Sequence, residues 1–450
     1  MSKKLVIDTL QHKSTPRPPW VIFSGIHAGK LAGFSAEEVL KDKDKLLKSL
    51  QEVAKIYDPD GMPIVFDLQI EAEILGCKLQ WVNDSPPMVA SHPLSKEKKI
   101  PSDSTIIRSD DGRLPMILDV MQQARILFDD MALYGLICGP LTLASHLRGT
   151  NIFIDMYEDP QYVKDLLTYC IKVNQALSMM YIEAGMDVIA IVDPLVSQIS
   201  TDHFNQFLLE PFTHLFKFIK EQNSYSSFFV CGDATKNIEA MCQTNPDSIS
   251  IDENIDIKEA KKITDKYNIA IGGNIQLTIT MLHGTQDDNM RAVVDIVEAC
   301  TPHNLIISPG CDMPYDIPIE NPIAIGQAVK DIETTKAYLK TIKQQTVRAV
   351  DVEIPNYPTL SKPLIEVFTL DSATCAACSY MMHVVNELHD EYDSLFDVIE
   401  YKYTKVENIA RTKKMGVKNL PSMLLDGKLI YSSIIPSKDE LLKLIKEYKK

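Results

Sequence analysis

Short runs rich in Val, Ile and Phe recur through the first three quarters of the chain, separated by longer stretches whose apolar residues repeat at helical spacing. Eight such runs stand out: residues 20–24, 64–68, 133–138, 188–192, 228–231, 248–251, 269–273 and 305–308. Most end in Gly, Pro, Asp or Asn, residues that stop a strand. Strands alternating with helices build a parallel sheet, and eight units in roughly 340 residues predict a (β/α)8 TIM barrel with insertions rather than an open doubly wound sheet. Residues 77–115, which include Trp81-Val82-Asn83-Asp84-Ser85-Pro86-Pro87, read as a hairpin-like insertion.

The pattern changes at residues 346–363, TVRAVDVEIPNYPTLSKP, where three prolines interrupt the helical period. This stretch predicts a linker between a large domain, 1–345, and a small α/β domain, 364–450. The small domain opens with an alternating strand, residues 364–370. Cys375-Ala-Ala-Cys378 then starts a helix with Met381, Met382 and Val385 at core spacing. Pro421 precedes a strand over 423–425, an Asp426-Gly427 turn follows, and a helix over 437–448 closes the chain.

Composition narrows the functional classes. At 450 residues the chain exceeds one ordinary core, and 45% hydrophobic with 24% charged residues is the balance of a soluble globular protein. No apolar run reaches the length of a membrane helix and no secretory h-region is present, so a cytoplasmic protein is expected. Nine cysteines without a regular framework point to reduced, metal-binding or catalytic thiols rather than structural disulfides. The formal charge of -15 belongs to the large domain, because residues 362–450 hold 13 basic and 13 acidic residues. An acidic domain repels phosphate backbones and anionic lipid, which argues against nucleic-acid and membrane partners.

Barrel chemistry sits at the carboxyl ends of strands. The polar residues there are Asp67, Asp193, Cys231, Asp252, Asn274 and Cys311. Cys231 and Cys311 fall at one rim, where two thiolates jointly suit a soft metal such as zinc; the alternative is two small buried hydrophobes. Cys77, Cys138, Cys170, Cys242 and Cys300 read as core thiols, His214, His383 and His389 as solvated or satisfied histidines, and His146 as a helix-packing residue.

Several stretches of residues 15–340 carry a resemblance in order: Gly25-Ile-His-Ala-Gly-Lys-Leu-Ala-Gly33, Phe66-Asp-Leu-Gln-Ile-Glu-Ala-Glu-Ile-Leu-Gly76, Gly139-Pro-Leu-Thr-Leu-Ala-Ser-His-Leu-Arg148, Val192-Asp-Pro194, Cys231-Gly232, Gly273-Asn274 and Pro309-Gly-Cys-Asp-Met-Pro314. The barrel resembles the uroporphyrinogen decarboxylase superfamily, in particular its corrinoid-dependent branch of methylcobamide:coenzyme M-type methyltransferases. That branch implies zinc held by a His-x-Cys on strand five and a Cys after strand eight. Cys231 and Cys311 match, whereas Phe229 stands where the histidine would be; His27, Asp193 or Asp252 is then needed to complete the site. The resemblance also implies a methyl-corrinoid carried by a partner corrinoid protein as substrate, and a small acceptor, most plausibly a thiol, whose pKa the zinc lowers. Asp67 matches the catalytic aspartate of the decarboxylases, but their arginine-rich N-terminal segment is replaced by Gly25-Ile-His-Ala-Gly-Lys30. Asp67 and Asp193 are thus the expected catalytic carboxylates, and His27 and Asn274 the expected cofactor-side residues.

Residues 364–450 resemble thioredoxin-like proteins through Cys375-x-x-Cys378 and Pro421, the counterpart of the family's cis-proline. A helix N-terminus lowers the first thiol's pKa, which predicts Cys375 as the attacking thiolate and Cys378 as the resolving one. The leading expectation is a methyltransferase with a fused dithiol domain. Two alternatives remain: a lyase acting through Asp67, and a redox-regulated binding protein whose barrel has lost catalysis.

Overall fold

The chain divides into two compact units, Met1–Ile342 and Lys343–Lys450. The computed structural model describes residues 2–342, 351–372 and 376–448. Part of the expected linker, and Cys375, lie outside them.

In the first unit, β1 (Gly61–Pro63) is followed by β2 (Leu79–Gln80) and β3 (Met88–Val89), which pair antiparallel inside the expected insertion. Then come β4 (Ala132–Cys138), β5 (Val188–Val192), β6 (Tyr225–Phe229), β7 (Ser248–Ser250), β8 (Ala270–Ile275) and β9 (Leu305–Pro309). Among the described residues, β1 and β4 to β9 form one parallel sheet of seven strands in chain order. The run over residues 20–24 closes it: Trp20 bridges to Ile307 and Val21 to Gly61, both parallel. Val21 N–H donates to Ile307 O at 2.9 Å and Ile22 N–H to Gly61 O at 3.1 Å. Pro18 and Pro19 precede this stave and have no N–H to give, which keeps its pairing to single bridges. Arg17 holds Asp60 through two bonds of 2.6 and 2.9 Å, and Asp60 also accepts from Trp20 N–H at 2.8 Å, which fixes the stave against β1.

Inward-facing side chains fill the barrel. Phe23 packs on Phe229 at 4.8 Å between ring centroids, on Tyr134 at 6.1 Å and on Phe66 at 6.3 Å. Val188, Ala190, Val192, Ala270 and Ile306 join them, and helix Ser2–Leu10 adds Val6 and Leu10 to the same cluster. That helix has no counterpart in the sequence expectations.

Two strands sit earlier in the chain than their apolar runs. The second run, 64–68, leaves the sheet after β1 and carries Phe66 and Asp67 to the rim, both buried. β6 begins at Tyr225-Ser226-Ser227, polar residues that the sequence pattern does not mark. They are tolerated because Ser226 Oγ donates to Asp247 at 2.8 Å and Ser227 Oγ meets Ser250 Oγ at 3.4 Å, so neither buried hydroxyl lacks a partner.

In the second unit β10 (Leu364–Thr369), β11 (Asp397–Lys402), β12 (Ser422–Leu425) and β13 (Lys428–Ser432) form a mixed sheet in the order β11-β10-β12-β13. β10 runs parallel to β11 and antiparallel to β12. Helix Ala376–Tyr392 and helix Lys438–Glu447, capped by Ser437, supply Met381, Val385, Leu388, Leu441 and Ile445 to a core with Ile365, Val367, Met423 and Leu425. β10 is buried along its whole length rather than alternating. Glu366 is buried in it: Tyr357 O–H donates to its Oε2 at 2.8 Å, while Oε1 is buried with no hydrogen-bond partner.

Candidate functional site

Cys231 and Cys311, 80 residues apart in sequence, meet at the carboxyl-end rim of the barrel. Their sulfurs are joined as a disulfide and their Cα atoms are 6.0 Å apart. Both side chains rest on the aromatic barrel core and stay partly exposed. Each has a glycine neighbour that lets the loops close in. A Cβ on Gly310 would lie 2.6 Å from Glu253 N, and Gly232 (φ +85°) would place one 2.7 Å from Ser197 Oγ. The cysteines expected at one rim are therefore side by side.

Several buried carboxyl groups follow the strands of the same barrel. Asp67 Oδ2 accepts from Arg113 Nη1 at 2.7 Å, and Gln69 N–H caps Oδ1 at 2.9 Å. Arg113 also donates Nε–H to Glu73 at 2.7 Å and lies 5.0 Å from the Trp81 ring. The barrel thus draws a cation from the end of the 77–115 insertion, which no motif announced. Glu71, one turn beyond Asp67, is 1% exposed. Its Oε1 accepts Cys138 N–H at 2.8 Å, while Oε2 is buried with no hydrogen-bond partner. Burial, helped by the Asp67 charge, pushes its carboxyl up to about 8.

Asp312 follows Cys311 and also has a buried oxygen, Oδ1, without a partner. Burial holds its carboxyl well above the usual range, and Asp67 adds to the effect. Gly25 (φ +31°) makes room for it, since a Cβ there would stand 1.9 Å from Asp312 Oδ1. Glu71 and Asp312 both lie inside the motif stretches, but only tertiary contacts distinguish them from their neighbours.

Three other expected site residues, Asp193, His27 and Asn274, have partners within the barrel. Asp193 packs against the start of a neighbouring helix. Its oxygens accept Leu141 N–H at 2.8 Å, Thr142 N–H at 3.1 Å and Thr142 Oγ1–H at 2.6 Å, so it caps helix Pro140–Arg148. Burial raises its pKa to about 6 and these bonds oppose the rise. In His27, Nδ1 bonds Tyr315 O at 2.9 Å and Nε2 meets Tyr57 OH at 2.7 Å. Burial lowers it to about 4, so the ring is neutral at pH 7. Asn274 uses its amide hydrogens on Asp252 O at 2.9 Å and Ile255 O at 2.7 Å, which anchors the loop after β7.

Zinc held as the resemblance implies needs a nitrogen beside the two sulfurs. Phe229 puts an apolar ring there, packed on Phe23 and Phe66 at 4.8 and 5.8 Å. Asp252, the remaining substitute, accepts Gly232 N–H at 2.7 Å on one oxygen and Asn254 N–H and Nδ2–H at 2.9 and 2.6 Å on the other. Among the described residues no three His, Cys, Asp or Glu side chains are arranged to hold a metal ion. The donor set does not fit a three-ligand zinc site.

In the second unit Cys378 is buried and its sulfur accepts Leu370 N–H at 3.3 Å. The Leu420–Pro421 peptide is cis, as the thioredoxin-like resemblance implied.

Residues 1–332 match the family model described as uroporphyrinogen decarboxylase, and residues 364–446 match the thioredoxin domain. A methylcobamide:CoM methyltransferase, MtbA, of Methanosarcina acetivorans is 24% identical over 327 residues, covering 71% of this chain and 94% of that protein. A uroporphyrinogen decarboxylase of Wolbachia pipientis is 26% identical over 292 residues, covering 63% and 82%. A solved methyltransferase from Methanosarcina mazei shares the fold with a TM-score of 0.68 at 21% identity, covering 74% of this chain and 98% of that one. The closed parallel barrel, the rim motifs and these matches agree: the chain belongs to the uroporphyrinogen decarboxylase family and carries a C-terminal thioredoxin domain.

Proposed function

We propose that the barrel moves a methyl group from a methyl-corrinoid, carried by a partner corrinoid protein, to a small thiol. The observation that carries this reading is the Asp67–Arg113 pair at a strand end of the same barrel whose rim holds Cys231 and Cys311. Asp312 adjoins Cys311 in the chain, Asp252 accepts the N–H of Gly232 beside Cys231, and Asp67, paired with Arg113, acts on the Asp312 carboxyl. Arg113 engages Asp67, Glu73 and the Leu40 carbonyl, so few of its donors are left to clamp the many carboxylates of a porphyrinogen, whereas a small thiol needs no such clamp. The methylcobamide relatives support the same class of reaction.

Transfer forms the S–CH3 bond, breaks the Co–CH3 bond with its electron pair left on cobalt as Co(I), and releases the proton of the thiol. In this reading Asp67 is the carboxylate that receives the proton, and Arg113 positions it. The aromatic floor formed by Phe23, Phe66 and Phe229 keeps water from the methyl group. In the second unit, Cys375 attacks disulfides and Cys378 resolves the mixed disulfide.

The test is to offer reduced protein methylcobalamin with a panel of thiols and follow Co(I) by absorbance. Demethylation should depend on protein and thiol, and Asp67→Asn should lower its rate about 100-fold, the scale of a lost general base. Conversion of uroporphyrinogen to coproporphyrinogen dependent on Asp67 would instead establish the decarboxylase reading, which the Wolbachia relative represents.

A further inference from the structure

The seven cysteines whose thiols lie within the first unit fall into two groups. Cys77, Cys138, Cys170, Cys242 and Cys300 are buried and unpaired with one another. Burial raises the pKa of each, with Cys77 and Cys242 pushed up to about 12. Such thiols are shielded and poor nucleophiles. Cys231 and Cys311 alone are partly exposed, paired, and set at the open end of the barrel. Their 6.0 Å Cα separation lies within the range a disulfide spans.

The surroundings favour sulfur–sulfur chemistry over metal binding. Phe229 removes the nitrogen donor from β6, and Asp252, Asp193 and His27 are committed to other partners. Gly232 and Gly310, each next to one cysteine, permit the loop approach that brings the sulfurs together. The bond also ties the loop after β6 to the loop after β9 across the mouth, and a thiol-disulfide domain is part of the same chain.

We propose that Cys231 and Cys311 form a reversible dithiol–disulfide centre of the barrel, exchanging with small thiols, disulfides and dithiols. Oxidation by a disulfide forms the Cys231–Cys311 bond, removes two electrons and two protons, and yields two thiols from the oxidant. For the return, a thiolate attacks one of the paired sulfurs, the bond between them breaks, and the departing thiolate takes up a proton. The second thiol of the attacking dithiol then resolves the mixed disulfide and leaves as a disulfide. The mouth presents two thiols in one state and none in the other. This assignment stands without the methyl-transfer reading.

The full chain is equilibrated in glutathione buffers from fully reduced to fully oxidised, alkylated, digested and mapped by mass spectrometry. Cys231 and Cys311 should pass together from alkylated to cross-linked in one two-electron transition, reversed by dithiothreitol, while the five buried cysteines do not change. In Cys231→Ser, Cys311 should be alkylated or glutathionylated and never cross-linked to the buried thiols. Zinc content of the reduced chain is measured in parallel and should be far below one per chain. Independent alkylation of the two cysteines at every ratio overturns the proposal, as does one zinc per chain that is lost in both Cys231→Ser and Cys311→Ser. Because demethylation is assayed on reduced protein, its failure is distinguishable from failure of this centre.

Discussion

Asp67 and Glu71 are four residues apart, yet they meet different partners. Asp67 faces a guanidinium; Glu71 receives one backbone N–H and leaves its other oxygen bare inside the protein. Its pKa of about 8, far above the usual carboxylate value, means that the folded state keeps a proton which the unfolded chain releases. Stability from this group is complete below the ordinary carboxylate pKa and is lost as pH rises through about 8, by up to about 1.4 kcal/mol per pH unit. Glu71→Gln keeps an acceptor for Cys138 N–H and removes the titration. Thermal melts of the variant should therefore fall less steeply than those of the wild type between about pH 5 and 8. An unchanged slope would mean that Glu71 does not hold that proton.

At the level of elements, helix Pro140–Arg148 has no capping side chain of its own and borrows Asp193 from the end of β5. Gly139 makes the approach possible, because a Cβ there would stand 2.3 Å from Asp193 Cβ. If Asp193 acts as a cap, Asp193→Ala should destabilise the first unit by about 2 kcal/mol, the upper range for a lost N-cap, and Asp193→Asn should recover most of it. Urea unfolding measures both. A variant of full stability but no activity would restore Asp193 to the chemistry. The same borrowing explains why strand-end position was an incomplete guide: Asp67, Asp193 and Asp252 all follow strands, but the elements packed beside them decide which oxygens remain open.

For the whole molecule, the fusion joins a barrel with a paired thiol centre to a thioredoxin domain. A tether holds two sites at an effective concentration on the order of millimolar when it can span them. The oxidised full chain, given limiting dithiothreitol, should therefore regain free Cys231 and Cys311 about tenfold faster than the Cys375→Ser chain, as read by timed alkylation. Equal rates would show that the second unit serves some other disulfide.

The sequence by itself determined the class of each unit. Burial of a parallel sheet on both faces forces apolar runs, and the crossover helices force a second period between them, so seven of the eight runs fell on barrel staves, while run 64–68 lies just past β1 and Ser226 and Ser227 hid the start of β6. The Cys-x-x-Cys, the later proline and the rim cysteines were likewise legible, being local or positional signals. Tertiary structure decided what those residues are able to do. It closed the barrel through two bridges at Trp20 and Val21, brought Arg113 to Asp67 from an insertion 46 residues away, and paired Cys231 with Cys311. It also gave His27, Asp193 and Asn274 hydrogen-bond partners from distant segments. The reason is physical: period and composition report how much surface a segment buries, whereas a side chain's chemistry depends on which atoms from distant segments take its hydrogen bonds and exclude its water.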